Sequence, residues 1–482
     1  MVARTITIAG GSRSEPSSST DVQKLIAKYG LAAHLAILAV APLFLFPFCA
    51  TGTVAWVLVW LALPTALWTV LEPSSRGREH LHDARWRVAK AIFRDPLFWA
   101  SLVLLVFTGL RAINSGISLG YDAEASVWRV SSPVFPILPG VVGSAGDLSF
   151  AVALACVVLL QACRHSLGRS ARMAFLLLAS FLSGLAAIIA LVALHGGVAG
   201  ALALLPSDGG TARSFIALAF GLQLIGGLVA LIAIADHRWR FSFFLLPLAI
   251  GGNAAGLFAF APPYLSAAFA VAGILTLAYA LVFSFQTHSS SDGFKLLMIG
   301  GIALTIGGLL DTAILPKAVM DERLASFMNL EFFPERFWEI RGVLSAVAAK
   351  SWFSHIWIGT GIDSFPLDFR FAAQDADWVA LPRGATAVAN GWWLLLAERG
   401  LVGAVFFILP FAFLLFTYGR RLVEGVRTRA LPHPICLIAP LTLVLFVATG
   451  FVDCSPLRAE ALMTMCAYLA VSAAAFPRVR GD

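Results

Sequence analysis

Apolar runs about 20 residues long recur along this chain, separated by short connectors rich in arginine. A run of that length is what an α-helix needs to cross the hydrocarbon of a bilayer. The pattern predicts spans at about 30–50, 51–71, 96–112, 148–163, 173–194, 213–235, 241–260, 264–285, 296–314, 400–418, 434–452 and 457–475. The expected fold class is therefore an all-α polytopic membrane protein with about twelve transmembrane helices. One interval breaks the rhythm: residues 315–399, between the ninth and tenth spans, are mixed-polar and rich in tryptophan. The expected organisation is a disordered cytoplasmic tail at 1–23, helices one to nine at 24–314, an external insert with amphipathic helices at 315–399, and helices ten to twelve with a cytoplasmic end at 400–482. The tail is Ser-, Thr- and Arg-rich, and the apolar run after it is too long, and lacks the cleavage site, for a signal peptide.

Composition narrows the class further. The chain is 59% hydrophobic and 13% charged, with a mean hydropathy of +0.86, which excludes a soluble globular domain. The net charge of +7 does not call for a nucleic-acid partner, because the basic residues collect in connectors. Arg76, Arg78, Arg85, Arg87, Lys90 and Arg94 lie in Glu72–Pro96, Arg164, Arg169 and Arg172 follow the fourth span, and Arg420, Arg421, Arg427 and Arg429 follow the tenth. The positive-inside bias places these loops, and both termini, in the cytoplasm. The stretch Asn114–Asp147, rich in Gly, Ser and Pro, falls outside. Of the six cysteines, Cys156, Cys163, Cys436 and Cys466 lie in apolar runs as small core residues, and a bridge between Cys49 and Cys454 at outer span ends is left open. Neither a metal nor a cofactor is expected.

Charge bias makes external cations informative. Arg213, Arg336, Arg341, Arg370, Arg383, Arg399 and Arg458 all fall on the predicted outer face. They read either as snorkelling surface residues or as a cluster that neutralises an anion such as a lipid diphosphate, which guanidinium forks bind bidentately. Within the insert, Pro334–His355 has the pattern of an amphipathic helix, with Phe337, Ile340, Leu344 and Val347 on one stripe and Arg341 beside it. Gly359-Thr360-Gly361 marks a tight bend. Asp375 and Asp377 have the spacing of a carboxylate pair, whose ordinary state is solvated. His195 and His355 are the outward histidines. Trp338, Trp352, Trp357, Trp378, Trp392 and Trp393 suit either sugar stacking or anchoring at the membrane interface.

From Arg341 onward the order of elements resembles the O-antigen ligase and Wzy polymerase superfamily. That family carries an Arg opening a periplasmic helix, then His-Pro-Leu-x-Gly-x-Gly, then His-Asn-x-x-Leu-x-x-x-x-Glu-x-Gly-x-x-Gly. Here Arg341 precedes His355-Ile356-Trp357-Ile358-Gly359-Thr360-Gly361, and Asn390, Leu394, Glu398, Gly400 and Gly403 match the second motif. Upstream, His195-Gly196-Gly197 and Thr211-Ala212-Arg213-Ser214-Phe215 are similar to the family's loop before an Asn-x-Asn-x-Phe-Ala span. The likeness covers roughly residues 185–420. Three positions depart: Ala389 stands where the family has its proposed histidine base, Ile356 where it has Pro, and Ser291-Asp292-Gly293 where it has Ser-Arg-Gly.

The resemblance implies a glycosyltransferase of the bacterial inner membrane with its active face in the periplasm. It would polymerise undecaprenyl-diphosphate-linked oligosaccharide repeat units onto a sugar hydroxyl, alongside other polysaccharide-assembly proteins. As charge builds on the departing diphosphate, fixed cations lower the barrier, and Arg213, Arg341 and Arg336 are the candidates. The acceptor hydroxyl needs a base, for which His355, Asp363 and Glu398 remain open. Asn390, Trp338 and Trp392 are the candidates to hold the glycan. Rival expectations are a ligase moving a finished glycan to another acceptor, a non-catalytic assembly partner, and a transporter. For the transporter the intramembrane charge would be Asp311.

Overall fold

The computed structural model describes residues 18–45, 51–67, 81–114, 119–122, 127–130, 145–195, 211–234, 240–287, 290–314, 321, 325, 337–362, 364–365, 390–428, 432–452 and 457–475. Within these, helices carry the architecture. They run α1 (Ser18–Leu45), α2 (Thr51–Ala62), α3 (Leu81–Phe93), α4 (Pro96–Ile113), α5 (Ala145–Ser166), α6 (Arg169–His195) and α7 (Thr211–Ile234). Then follow α8 (Arg240–Phe260), α9 (Pro263–Thr287), α10 (Ser290–Ile314), α11 (Phe337–Ser354), α12 (Gly391–Thr428), a 3-10 turn (Pro434–Leu437), α13 (Ile438–Val452) and α14 (Ala459–Ala473). Among the described residues seven helices are long and apolar enough to cross a membrane, and five shorter apolar ones accompany them. The chain is a multi-pass α-helical membrane protein, with a helix at every interval where an apolar run predicts one.

Several boundaries differ from expectation for physical reasons. α1 begins at Ser18, inside the 1–23 segment read as a tail, because a hydrogen-bond ladder extends through polar residues that a hydropathy reading rejects. The basic connector Glu72–Pro96 contains α3. The stretch Asn114–Asp147 holds an antiparallel ribbon, β1 (Leu119–Asp122) with β2 (Val127–Val130), in whose register position 121 pairs with 128. Most consequentially, α12 starts at Gly391, within the expected insert, and is broken at Gly400, where the insert was expected to end.

α7 is the axis of the bundle: its window Phe215–Ala233 is entirely buried. Where α6, α8 and α10 cross near it, small residues let the backbones approach; a Cβ on Gly184 would lie 2.9 Å from Ala249 backbone atoms. A polar network ties this core together. The Tyr468 hydroxyl of α14 donates to Gln223 Oε1, Gln223 Nε2 reaches Ala39 O at 3.3 Å, and Asn253 Nδ2 reaches Ser180 O at 3.2 Å. Buried polar groups satisfied in this way fix the register of the helices that carry them.

α4 is pinned at both ends. At its start Asp95 accepts from Leu97 N at 3.1 Å as a helix cap, Pro96 follows, and Arg164 Nε of α5 lies 2.7 Å from Asp95 Oδ2. At its other end Arg111 is fully buried.

Candidate functional site

The Arg111 end of α4 meets the one described place where a long apolar helix stops being a helix. α12 breaks at Gly400, whose backbone turns to φ 65°, ψ −176°. A continuous helix would bond Leu401 N to Ala397 O and Val402 N to Glu398 O. Instead the turn after α11 inserts between these partners. Thr360 N donates to Ala397 O at 2.8 Å and Gly361 N to Glu398 O at 3.1 Å. On the other side Leu401 N donates to Ile356 O at 2.9 Å and Val402 N to Trp357 O at 3.0 Å. These four groups freed by the break are satisfied by the inserted turn, as burial away from water requires.

Glycine is what allows the crossing. Gly359 (φ 76°) and Gly400 both occupy the left-handed region, and their backbones touch: a Cβ on Gly359 would lie 2.5 Å from Gly400 N, and one on Gly400 2.4 Å from Gly359 N. Gly403, one turn later, accepts the Phe107 ring of α4 where a Cβ would meet it at 2.7 Å. The glycines of the two sequence motifs thus belong to a single backbone crossing.

Charge gathers at this crossing. Arg111 Nη1 donates to Ile358 O at 2.8 Å, holding the inserted turn from the α4 side. Arg111, Glu398 and Arg399 lie close enough to act on one another electrostatically. The guanidinium carbons of Arg111 and Arg399 stand 5.6 and 5.7 Å from the Phe107 and Phe407 ring centroids. Among the described residues this group holds two cations and one carboxylate, a net positive charge at the break in α12.

Below lies an apolar cavity of about 90 Å³ between α4, α5, α12 and α14. Its wall includes Leu104, Val152, Phe407, Phe411 and Leu462, and its one charged residue is Arg399. Ser101, Thr108 and Ser149 also line it, and the Ser101 and Thr108 hydroxyls bond back to Leu97 O and Leu104 O, each at 2.8 Å, so those two present little free polarity to the cavity.

The expected site residues divide clearly. Glu398 sits half-buried at the break, and His355 is exposed at the start of the inserted turn, accepting Gly359 N on its carbonyl at 2.8 Å. Arg341 is half-buried on α11, whose buried stripe is Leu344, Val347, Ala348 and Ser351. Asn390 Oδ1 caps α12, accepting from Trp392 N at 2.9 Å and Trp393 N at 3.3 Å. Trp392 bonds Val447 O at 3.2 Å and packs on Phe446 and Phe451, so it joins α12 to α13. Arg213 and Trp338 lie in the first turns of α7 and α11, with side chains outside the described residues. Arg336, Asp363, Arg370, Asp375, Asp377, Trp378, Arg383, Ala389, Cys49 and Cys454 lie outside them altogether. Among the described residues no three His, Cys, Asp or Glu side chains are grouped to hold a metal.

Arg111 is the residue that sequence reasoning passed over. The signal was present: an arginine in the last turn of a span, at the end opposite the basic loop, runs against the charge bias. No known protein family matches the chain, and no functionally characterised protein matches it significantly.

Proposed function

We propose that this protein is a membrane glycosyltransferase that takes its donor sugar from a polyprenyl diphosphate, polymerising lipid-linked oligosaccharide units at the outer face of a bacterial inner membrane. The observation that carries the reading is the pairing, among the described residues, of a net positive group, Arg111 with Glu398 and Arg399, with an apolar cavity whose only described charged wall residue is Arg399. A lipid diphosphate has that same division into anion and hydrocarbon. Depth supports it as well. Leu401–Gly419 has no charged residue and rises roughly 28 Å as a helix, close to the roughly 30 Å of bilayer hydrocarbon. The break at Gly400 then falls at headgroup level, where a diphosphate resides. The twelve apolar helices would all cross, with both termini cytoplasmic and residues 315–399 periplasmic.

In this reading Arg111 and Arg399 take the diphosphate, joined by Arg213, Arg336 and Arg341 from the outer surface. Charge develops on the leaving diphosphate as the acceptor oxygen attacks the anomeric carbon, and fixed guanidinium groups stabilise it without reorganising. Glu398 and His355 are the described candidates to receive the acceptor proton, with Asp363 the third. A ligase transferring a finished glycan would need the same centre. A transporter is the second reading, favoured by the broken helix itself; the placement of the break at the membrane edge, away from the midplane, weighs against it.

The test uses purified protein in lipid nanodiscs with lipid-linked repeat units, products being resolved by length. A ladder of longer glycans, lost in Arg399→Gln and Arg111→Gln, is the expected result. Unaltered ladders in both variants, or no extension although the donor binds, would sink the polymerase. Transfer to a different acceptor would move the ligase forward, and donor translocation without transfer would favour the transporter.

A further inference from the structure

α3 and the start of α4 present a surface that the bundle leaves uncovered. On α3, Val88 and Ile92 are half-buried, whereas Trp86, Lys90 and Phe93, with Arg94 just past the helix end, are exposed and fall on the opposite side at helical spacing. Trp86 is 65% exposed and Phe93 59%, large apolar groups standing beside two cations. Water alone is a poor partner for such a face.

The face is held rigidly. Asp95 caps α4 and pairs with Arg164, and Trp99 Nε1 donates to Phe93 O at 2.8 Å. The Phe93, Phe98 and Trp99 rings cluster with centroids 5.6 to 6.3 Å apart. From Trp99 an exposed apolar stripe climbs α4 through Val103, Val106 and Leu110. It rises roughly 16 Å, about one leaflet of hydrocarbon. Aromatic rings at its foot, cations below them and a leaflet-long apolar stripe above together have the shape of one phospholipid. The end of the bundle is the one bearing Arg164, Arg420, Arg421 and Arg427, which the charge bias assigns to the anionic cytoplasmic leaflet.

We infer that α3 lies in the headgroup plane of that leaflet and that Lys90, Arg94 and the Phe93–Trp99 cluster form a binding site for an anionic phospholipid. Its acyl chain follows the α4 stripe, and its phosphate meets the two cations. This site is distinct from the centre at Gly400 and does not depend on the proposed enzymatic reading.

The full chain, delipidated in detergent, would be offered an equimolar mixture of phosphatidylglycerol and phosphatidylethanolamine with identical chains, and retained lipids counted by native mass spectrometry. The expected result is preferential retention of phosphatidylglycerol, weakened about fivefold by each of Lys90→Gln and Arg94→Gln and unchanged by Arg420→Gln with Arg427→Gln. Because these side chains are exposed, the variants should fold. A second readout, the rise in thermal midpoint on adding phosphatidylglycerol vesicles, should be smaller in the Lys90→Gln/Arg94→Gln double variant. Equal retention by the native chain and the double variant, or no preference in the native chain, would overturn the site and leave the face to a protein partner.

Discussion

α7 and α12 are apolar helices of one bundle that handle burial in opposite ways. α7 is continuous and buried over its whole apolar window, and the described groups around it are packing residues and a buried polar network. α12 has only a third of its best apolar window buried and stops at Gly400, where its ladder is handed to a second piece of chain. An unbroken helix satisfies its own backbone and gains nothing from a neighbour's main chain. A broken one depends on that neighbour, so the cost of irregularity is met only where the break brings something with it. Here it brings Arg111 and Glu398 together with Arg399, which lines an apolar cavity.

The sharpest way to break this contrast is a methyl group at the crossing. Gly400→Ala would place a Cβ 2.4 Å from Gly359 N in a backbone region alanine avoids, and it should cost more than about 3 kcal/mol. Thermal unfolding in detergent would show it, and Gly359→Ala should behave alike. Gly221→Ala in α7 is the counterpart: its Cβ meets the buried Phe269 ring at 2.3 Å, a side-chain clash in an ordinary helical backbone, so a smaller loss of about 1–3 kcal/mol is expected. Equal effects would mean that the crossing is ordinary packing.

Next in size is Arg111→Gln. It removes a buried charged hydrogen bond to Ile358 O and should cost about 1.5–3 kcal/mol. Hydrogen exchange distinguishes a local role from a global one: the amides of Thr360, Gly361, Leu401 and Val402 should lose protection while those of α7 keep theirs. Uniform loss along the chain would remove Arg111 from its assigned role of holding the inserted turn.

The sequence made some of this visible and hid the rest for definable reasons. Helix positions were legible because apolar runs of span length have few other uses. The buried Cys163, Cys436 and Cys466 followed from the same pattern. The span expected from 400 begins at the break itself, whereas the helical stretch 391–399 before it escaped notice because Glu398 and Arg399 end its apolar run. Gly359-Thr360-Gly361 read as a tight bend, which is correct locally, but its partner at Gly400 lies beyond any local pattern. Arg111 and Ile358 are 247 positions apart, and only tertiary structure brings them together. Asn390 and Trp392 drew attention as sugar contacts, whereas a cap and an interhelical bond account for the polar atoms the structure shows in use.

Within the α7 core, Tyr468→Phe leaves the ring in place and deprives Gln223 Oε1 of its donor. An unmet buried acceptor costs about 1–3 kcal/mol, and the lower half of that range is expected because the amide nitrogen keeps Ala39 O. Unlike the Arg111 change, this loss should appear as global destabilisation, with no selective effect on the inserted turn. Selective loss there would show that the two regions are coupled.

The smallest effect concerns the other end of α4, where a charge pair serves structure alone. Burial raises the Asp95 carboxyl above its ordinary value near 3.8, and Arg164 and the Leu97 N–H only partly oppose this. A raised folded-state pKa means that the folded chain binds the proton more tightly than the unfolded one. The contribution is therefore complete below the ordinary value and is lost as pH rises through the raised one. Asp95→Asn retains an oxygen to cap Leu97 N but does not titrate. The difference in thermal midpoint between native and variant chains should accordingly shift in favour of the variant as pH climbs from below 3.8, then level off. A shift in the opposite sense would mean that Arg164 outweighs burial, making the inner pair a stabilising salt bridge and the two ends of α4 more alike than their geometry implies.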